Sequence, residues 1–187
     1  MKIQNQIILS IGTNQGEKLH NIEQAIDLIH SQIATVVKVS KLYESPSWGF
    51  ESDAFYNCAV LVHTCKSAEE VLEEILQAEK KLGRIRNGDI GYQARIIDID
   101  IISFNEDVLD TENLQIPHPQ MQNRKFVLLP MHDLKTDFVH PILHKNTLEL
   151  LKDCEDDSDC KVISSLKSPT EKFSFDQFNY IAIEGNI

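Results

Sequence analysis

Apolar positions along this chain switch repeatedly between a strand rhythm and a helix rhythm. Gln6 to Ile11 is a short apolar run that ends at Gly12, as a buried strand does. Leu19, Ile22, Ile26, Ile29 and Ile33 then recur at spacings of three and four, which predicts a helix over roughly residues 17–32. Residues 35–44 are strand-like, 45–50 form a loop around Pro46 and Gly49, and 54–64 read as a second long strand. Ser67 and Glu70 have capping-box spacing, opening a helix through Val71, Leu72, Ile75, Ala78 and Leu82 that stops at Gly83. Arg95 to Ile102 is dominated by isoleucine and predicts another strand. The order β-α-β-β-α-β predicts an α+β protein with a ferredoxin-like core and additional helices and strands. Beyond it, residues 103–145 mix loops with a short helix near 123–133, a further short helix covers 147–152, and no internal repeat is visible.

The strand 95–102 also carries chemistry. Strand side chains alternate, so Asp98 and Asp100 project from one face while Ile97, Ile99 and Ile101 occupy the other. Like charges on an apolar strand are costly without a positive partner. Oxygen-only ligands point to Mg²⁺, which bridges carboxylates to substrate phosphates. A half-exposed edge strand with solvated acids fits the pair alone equally well, and the arginines upstream tilt the balance towards metal. Arg84, Arg86 and Arg95 flank Asn87-Gly88-Asp89-Ile90-Gly91, whose two glycines suggest a mobile loop. Guanidinium forks suit phosphate oxygens, so arginines beside an acidic metal pair compose a phosphoryl-transfer site. Arg84 and Arg86 would also complement the C-terminus of the preceding helix, a purely structural role.

Gly83-Arg84-Ile85-Arg86, the run Arg95 to Ile102, and Pro117-His118-Pro119-Gln120-Met121-Gln122-Asn123-Arg124-Lys125-Phe126 together resemble the hydroxymethyldihydropterin pyrophosphokinases of folate biosynthesis. Ile11-Gly12-Thr13-Asn14 and Phe55-Tyr56-Asn57-Cys58-Ala59-Val60 match the same family in the same order, so the resemblance covers about residues 6–155. It implies transfer of pyrophosphate from ATP to the hydroxymethyl group of a dihydropterin, with release of AMP. It implies that Asp98 and Asp100 hold two Mg²⁺ ions, either acid being able to help remove the hydroxyl proton. Arg84, Arg86 and Arg95 match residues that embrace the polyphosphate, and His118 and Arg124 match the nucleotide-contacting pair. Phe55 and Phe126 match the aromatics that sandwich the pterin, and Asn57 the amide that reads its edge. Ser45, Pro46 and Trp48 lie in the loop that lids it. The chain departs from the family at Tyr92, Gln93-Ala94 and Pro119, positions that touch the arginine loop and the adenine pocket rather than the acids. A non-catalytic ferredoxin-like module and a D-x-D nucleotidyl- or glycosyltransferase are competing classes; the acids and arginines argue against the first, the Pro117–Phe126 motif against the second.

Composition adds limits. The 187 residues suffice for one domain with a sizeable core, at 42% hydrophobic and 25% charged content. A net charge of −11 argues against nucleic acid as a partner, so an anionic substrate depends on local arginines and metal. No apolar run approaches a membrane span. The four cysteines include no C-x-x-C, and reduced thiols in a cytoplasm are the expectation. Monomer and homodimer are both compatible with the sequence.

The tail is expected to stand apart. A pyrophosphokinase domain over residues 1–160 gives way to a linker or tail over 161–187, foreshadowed by the acidic run Glu155–Asp159. The ending Phe178 to Ile187 resembles the first strand and loop opening of deoxynucleoside kinases. Either a fusion to such a domain or a final strand docked on the sheet edge would account for it.

Overall fold

A computed structural model describes residues 4–47, 52–84 and 94–171. Trp48, Arg86, the Asn87–Gly91 segment, Tyr92, Gln93 and the expected strand near Tyr180 lie outside the described residues.

The predicted β-α-β-β-α-β order is present with its second strand divided in two: β1 (Asn5–Thr13), α1 (Lys18–Leu28), β2 (Thr35–Val39), β3 (Lys41–Ser45), β4 (Phe55–Thr64), α2 (Ala68–Lys81) and β5 (Asp98–Phe104). α1 continues into a π-helical turn over Ile29–Ile33. There follow a small hairpin of β6 (Leu109–Asp110) and β7 (Gln115–Ile116), then α3 (Lys125–Asp133), α4 (Thr147–Asp153) and β8 (Lys161–Ser165). The main sheet runs β5-β1-β4-β3-β8, with β2 also on β4. β1 is antiparallel to both β4 and β5. The chain is an α+β protein.

Local signals explain the second helix. The Ser67 hydroxyl accepts from the Glu70 amide at 3.3 Å, and the Glu70 carboxylate accepts from the Ser67 amide at 2.7 Å. At the other end Gly83 takes φ +93°, the left-handed conformation that terminates helices.

The structure redraws three predicted elements. The single strand expected over 35–44 is broken at Ser40, with a bulge at Val37. The strand expected over Arg95–Ile102 instead begins at Asp98 and runs to Phe104. Its first three residues are captured otherwise: the Arg95 carbonyl accepts from the Asn14 amide at 3.0 Å, and the Ile96 carbonyl from the Thr13 hydroxyl at 2.6 Å. Residues 161–165, read as the start of a linker, form β8 and pair with β3, adding an outer strand to the sheet.

The sheet buries both faces. Ile7, Leu9 and Ile11 of β1, Cys58, Val60 and Val62 of β4, and Ile99 and Ile101 of β5 pack under α1 and α2. Ile8, Ala59, Leu61 and Ile102 face the other way, against Leu128 and Met131 of α3 and Leu150 of α4. α3 and α4 thus cover the Ile8 end of that second face. By strand alternation, Gly12, Asn57, Asp98 and Asp100 share this face at its other end.

Candidate active site

Register alone assembles most of the predicted residues. Gly12 pairs with Asn57 across β1–β4 and with Asp98 across β1–β5, while Ser10 pairs with Ala59 and Asp100. Ser45 pairs with Phe55 across β3–β4, placing Ser45, Phe55 and Asn57 on one face. Asn57 is buried and its Nδ2 donates to the Ser45 hydroxyl at 2.9 Å. Gly12 makes room for them: a Cβ there would lie 3.1 Å from Asn57 Oδ1 and 4.0 Å from the Phe55 ring. Pro46 is exposed beyond Ser45.

The acids sit among cations. Arg84 Nη1 donates to Asp98 Oδ1, and Arg95 Nη1 donates to Asp98 Oδ2. Burial works against the Arg84 charge, but Asp98 and Glu79 outweigh it and raise its pKa. Asp100 is different. Burial and then the Asp98 charge push its carboxyl up to about 7, against the opposing pull of Arg124 and Arg95.

His118 and Arg124 close the other side. His118 follows the cis Ile116–Pro117 bond, and its amide donates to the Ile102 carbonyl of β5 at 3.0 Å. Its Nδ1 accepts from the Gln120 amide at 3.2 Å. Burial and then the nearby Arg124 push its pKa down to about 4, so the ring is neutral near pH 7. Arg124 is buried at the start of α3, with its guanidinium carbon 5.8 Å from the Phe126 ring centre. Phe126 packs on the edge of the α3 cluster. A cleft of about 720 Å³ runs along the outer edge of β5, bounded by Leu72, Leu76, Ile99, Asp100, Leu114 and His118.

Register and hydrogen bonds bring Ser45, Phe55 and Asn57 together at one end of this face and Asp98 to Arg84 and Arg95. Phe126 lies by Arg124 and Pro46 is exposed; Arg86 and Trp48 lie outside the described residues. Two further residues bear on the site. Glu79 of α2 is 1% exposed, accepts from the Ile99 amide at 2.9 Å, and also takes a hydrogen bond from Arg84 Nη1. Its signal lies in the sequence: Val71, Ile75 and Glu79 repeat every four residues, so a carboxylate stands on the apolar stripe. Asn14, just after β1, contacts both Arg95 and Ser52, a link no local pattern announces.

Acids and guanidinium groups converging beside a cleft, on an α+β frame, suit the handling of a polyphosphate. The family model described as 7,8-dihydro-6-hydroxymethylpterin-pyrophosphokinase matches residues 8–136, and the chain belongs to that family. It is 39% identical over 132 residues to the 2-amino-4-hydroxy-6-hydroxymethyldihydropteridine pyrophosphokinase of Bacillus subtilis, spanning 70% of this chain and 78% of that protein. It is 41% identical over 147 residues to the folic acid synthesis protein FOL1 of Dictyostelium discoideum, covering 76% of this chain but 22% of the relative. The match to the Pneumocystis carinii folic acid synthesis protein likewise covers 18% of that relative, so this chain spans about a fifth of these two proteins. Among solved structures, wild-type Plasmodium falciparum HPPK-DHPS with SDX-DHP aligns with a TM-score of 0.64 over 82% of this chain and 45% of that one. At 17% identity that likeness concerns the fold.

Proposed function

We propose that this chain transfers the terminal pyrophosphoryl group of ATP to the hydroxymethyl oxygen of 6-hydroxymethyl-7,8-dihydropterin in folate biosynthesis. The substrate oxygen attacks the β-phosphorus, the bond from that phosphorus to the α–β bridging oxygen breaks, AMP leaves, and the hydroxyl proton is lost. The observation that carries this reading is the shared face of Asp98, Asp100, Asn57 and Gly12, flanked by Arg84 and Arg95 on one side and by His118 and Arg124 on the other.

The acidic pair fits Mg²⁺. Asp98 and Asp100 offer only oxygen donors, and burial with the neighbouring Asp98 charge raises the Asp100 pKa, so that a cation between the two acids would favour the ionised form of Asp100. In this reading the two carboxylates hold two ions that neutralise charge on the triphosphate. Arg84, Arg86 and Arg95 grip the phosphate oxygens, and Asp98 holds Arg84 and Arg95 in place until they do. His118 and Arg124 border the nucleotide, whose base and ribose occupy the cleft along β5. A neutral His118 with Nδ1 accepting leaves Nε2–H as a donor to a phosphate or ribose oxygen.

The pterin lies over Gly12. Asn57 reads its amide-like edge, Phe55 and Phe126 cover its faces, and Ser45 and Pro46 close the rim, with Trp48 as a further proposed substrate contact. The contact between Asn57 and Ser45 fixes the amide before any ligand arrives. Four free thiols agree with a cytoplasmic setting, and no helix among the described residues is long and apolar enough to cross a membrane.

The test is product analysis with MgATP and the dihydropterin. AMP should form in step with pterin consumption and only in its presence. Release of ADP, or AMP formation indifferent to the pterin, would overturn the reading.

A further inference from the structure

We infer that Asp156 is a positioning residue for the pterin slot, capping α3 from outside the helix and so fixing where Arg124 and Phe126 stand; the inference rests on the function proposed above. Both site residues belong to the first turn of α3, Arg124 at the N-cap and Phe126 at the second helical position.

A helix start leaves backbone N–H groups without acceptors, and the N-cap side chain normally supplies one. Arg124 cannot, because a guanidinium has no acceptor, and its side chain makes no capping bond. The acceptor comes from far along the chain: Asp156 Oδ2 accepts from the Lys125 amide at 2.8 Å. Asp156 Oδ1 accepts from the Ser158 amide at 3.0 Å, and Lys125 Nζ donates to the Ser158 carbonyl at 2.9 Å. A closed ring of hydrogen bonds thus joins the helix start to this segment. Burial works against the Asp156 charge, but the bonds from Ser158 and from the Lys125 amide outweigh it and lower its pKa. An ionised carboxylate also suits the positive end of a helix.

The acidic run Glu155–Asp159 is therefore not uniform. Glu155, Asp157 and Asp159 are exposed, whereas Asp156 is half-buried between the half-buried Cys154 and Ser158. Cys154 packs against the same apolar cluster as Phe126. Beyond Cys160, β8 pairs with β3 and sets Lys161 opposite Glu44, the neighbour of Ser45. The segment so runs from the Phe126 side of the slot to the Ser45 side. The far end of α3 has its own anchor, since the Tyr43 hydroxyl donates to Asp133 at 2.8 Å. Loss of the Asp156 cap accordingly releases the first turn, not the whole helix.

Steady-state kinetics with MgATP at saturation and varied dihydropterin test this role. Asp156→Ala should raise the dihydropterin KM on the order of tenfold, within the span of a lost helix cap. Its kcat should stay within about 3-fold of the parent, because Arg84, Arg95, Asp98 and Asp100 are untouched and only binding is lost. Asp156→Asn, which keeps an oxygen for the Lys125 amide, should recover most of the loss. Lys125→Pro removes the donor instead. Proline suits the first helical position, and the extended backbone of Arg124 (φ −125°, ψ 102°) accepts a following proline, so this variant should fold. It should reproduce the KM rise with circular dichroism unchanged, and it decides the matter if Asp156→Ala does not fold. Lys125→Ala, which keeps the amide, should lose less. A parental KM in folded Asp156→Ala or in Lys125→Pro, or a fall in kcat alone, overturns the positioning role and leaves the proposed function standing. A parent chain that does not turn over the dihydropterin overturns that function, and the role with it.

Discussion

Glu79 and Asp98 are joined through a single guanidinium nitrogen: Arg84 Nη1 donates to a carboxylate oxygen of each. One acid comes from the buried stripe of α2 and the other from the exposed end of β5, so Arg84 fastens helix to strand. Glu79 adds a second tie by accepting the Ile99 amide on the strand edge. Removing Glu79 leaves the buried Ile99 amide without this acceptor and Arg84 with Asp98 as its remaining carboxylate partner. Glu79→Ala should therefore cost about 1–3 kcal/mol of unfolding free energy, the range for leaving a buried hydrogen-bonding group unsatisfied. Glu79→Gln, which keeps an acceptor, should lose less. Urea titration of the three proteins would decide it, and a Glu79→Ala midpoint matching the parent would refute this role.

The acids themselves should behave in the opposite way. Asp98 and Asp100 lie outside both apolar clusters, so their loss leaves the core intact. Asp98→Ala and Asp100→Ala should each lower kcat on the order of 10²–10³-fold, the effect of removing one preorganised electrostatic group. Circular dichroism should be unchanged. Near-parental turnover in both variants would remove the acids from the proposed chemistry.

Much of the site is legible in the sequence because its signals are local. Alternation along β5 is enough to put Asp98 and Asp100 on one face, and the spacing of Ser67, Glu70 and Gly83 bounds α2. Local periodicity does not show that Thr13 and Asn14 intercept the carbonyls of Arg95 and Ile96, which delays the start of β5 to Asp98. Those bonds span more than 80 residues of sequence. Nor does it show that Lys161–Ser165 pairs with β3, because Val162 and Ile163 remain largely exposed and carry little burial signal. Glu79 stands between these cases: the helical stripe points to it, yet a charge inside a stripe has no evident purpose until its partners, Arg84 and the Ile99 amide, are known.

Stability should carry a histidine signature. The His118 pKa is lowered from 6.5 to about 4 by burial and then by Arg124, so the unfolded chain takes up this proton first as pH falls. The stabilising contribution is full above about 6.5, declines through the interval down to about 4, and is gone below it. Asp100 works in the opposite direction, since a raised carboxyl pKa favours folding more as pH drops from about 7. The test is therefore a difference. Unfolding free energies of the parent and His118→Gln, measured from pH 7.5 to 4 without metal or nucleotide, should converge or cross in favour of the variant as pH falls. A constant gap across that range would show that His118 does not titrate in this window.

The pterin side can be probed by adding atoms as well as by removing them. A methyl group at Gly12 would come within 3.1 Å of Asn57 Oδ1, an oxygen whose amide is already fixed by its bond to Ser45. Gly12→Ala should push Asn57 off its position and cost about 1–3 kcal/mol, the usual penalty for overpacking. If the pterin edge is read there, the same variant should weaken pterin binding roughly tenfold or more, which corresponds to about 1.4 kcal/mol. Phe126→Ala should also weaken pterin binding, through lost stacking of about 0.5–1.5 kcal/mol in addition to lost contact area. Gly12 does not line the cleft along β5, so affinity for the Mg²⁺ complex of α,β-methylene ATP should hold in Gly12→Ala, whereas Phe126→Ala, beside Arg124, should lose less nucleotide affinity than pterin affinity. Calorimetry with each ligand separates the outcomes. Loss of nucleotide affinity alone would move the pterin away from Gly12 and Asn57, whereas parental pterin affinity in Phe126→Ala would remove that ring from the slot.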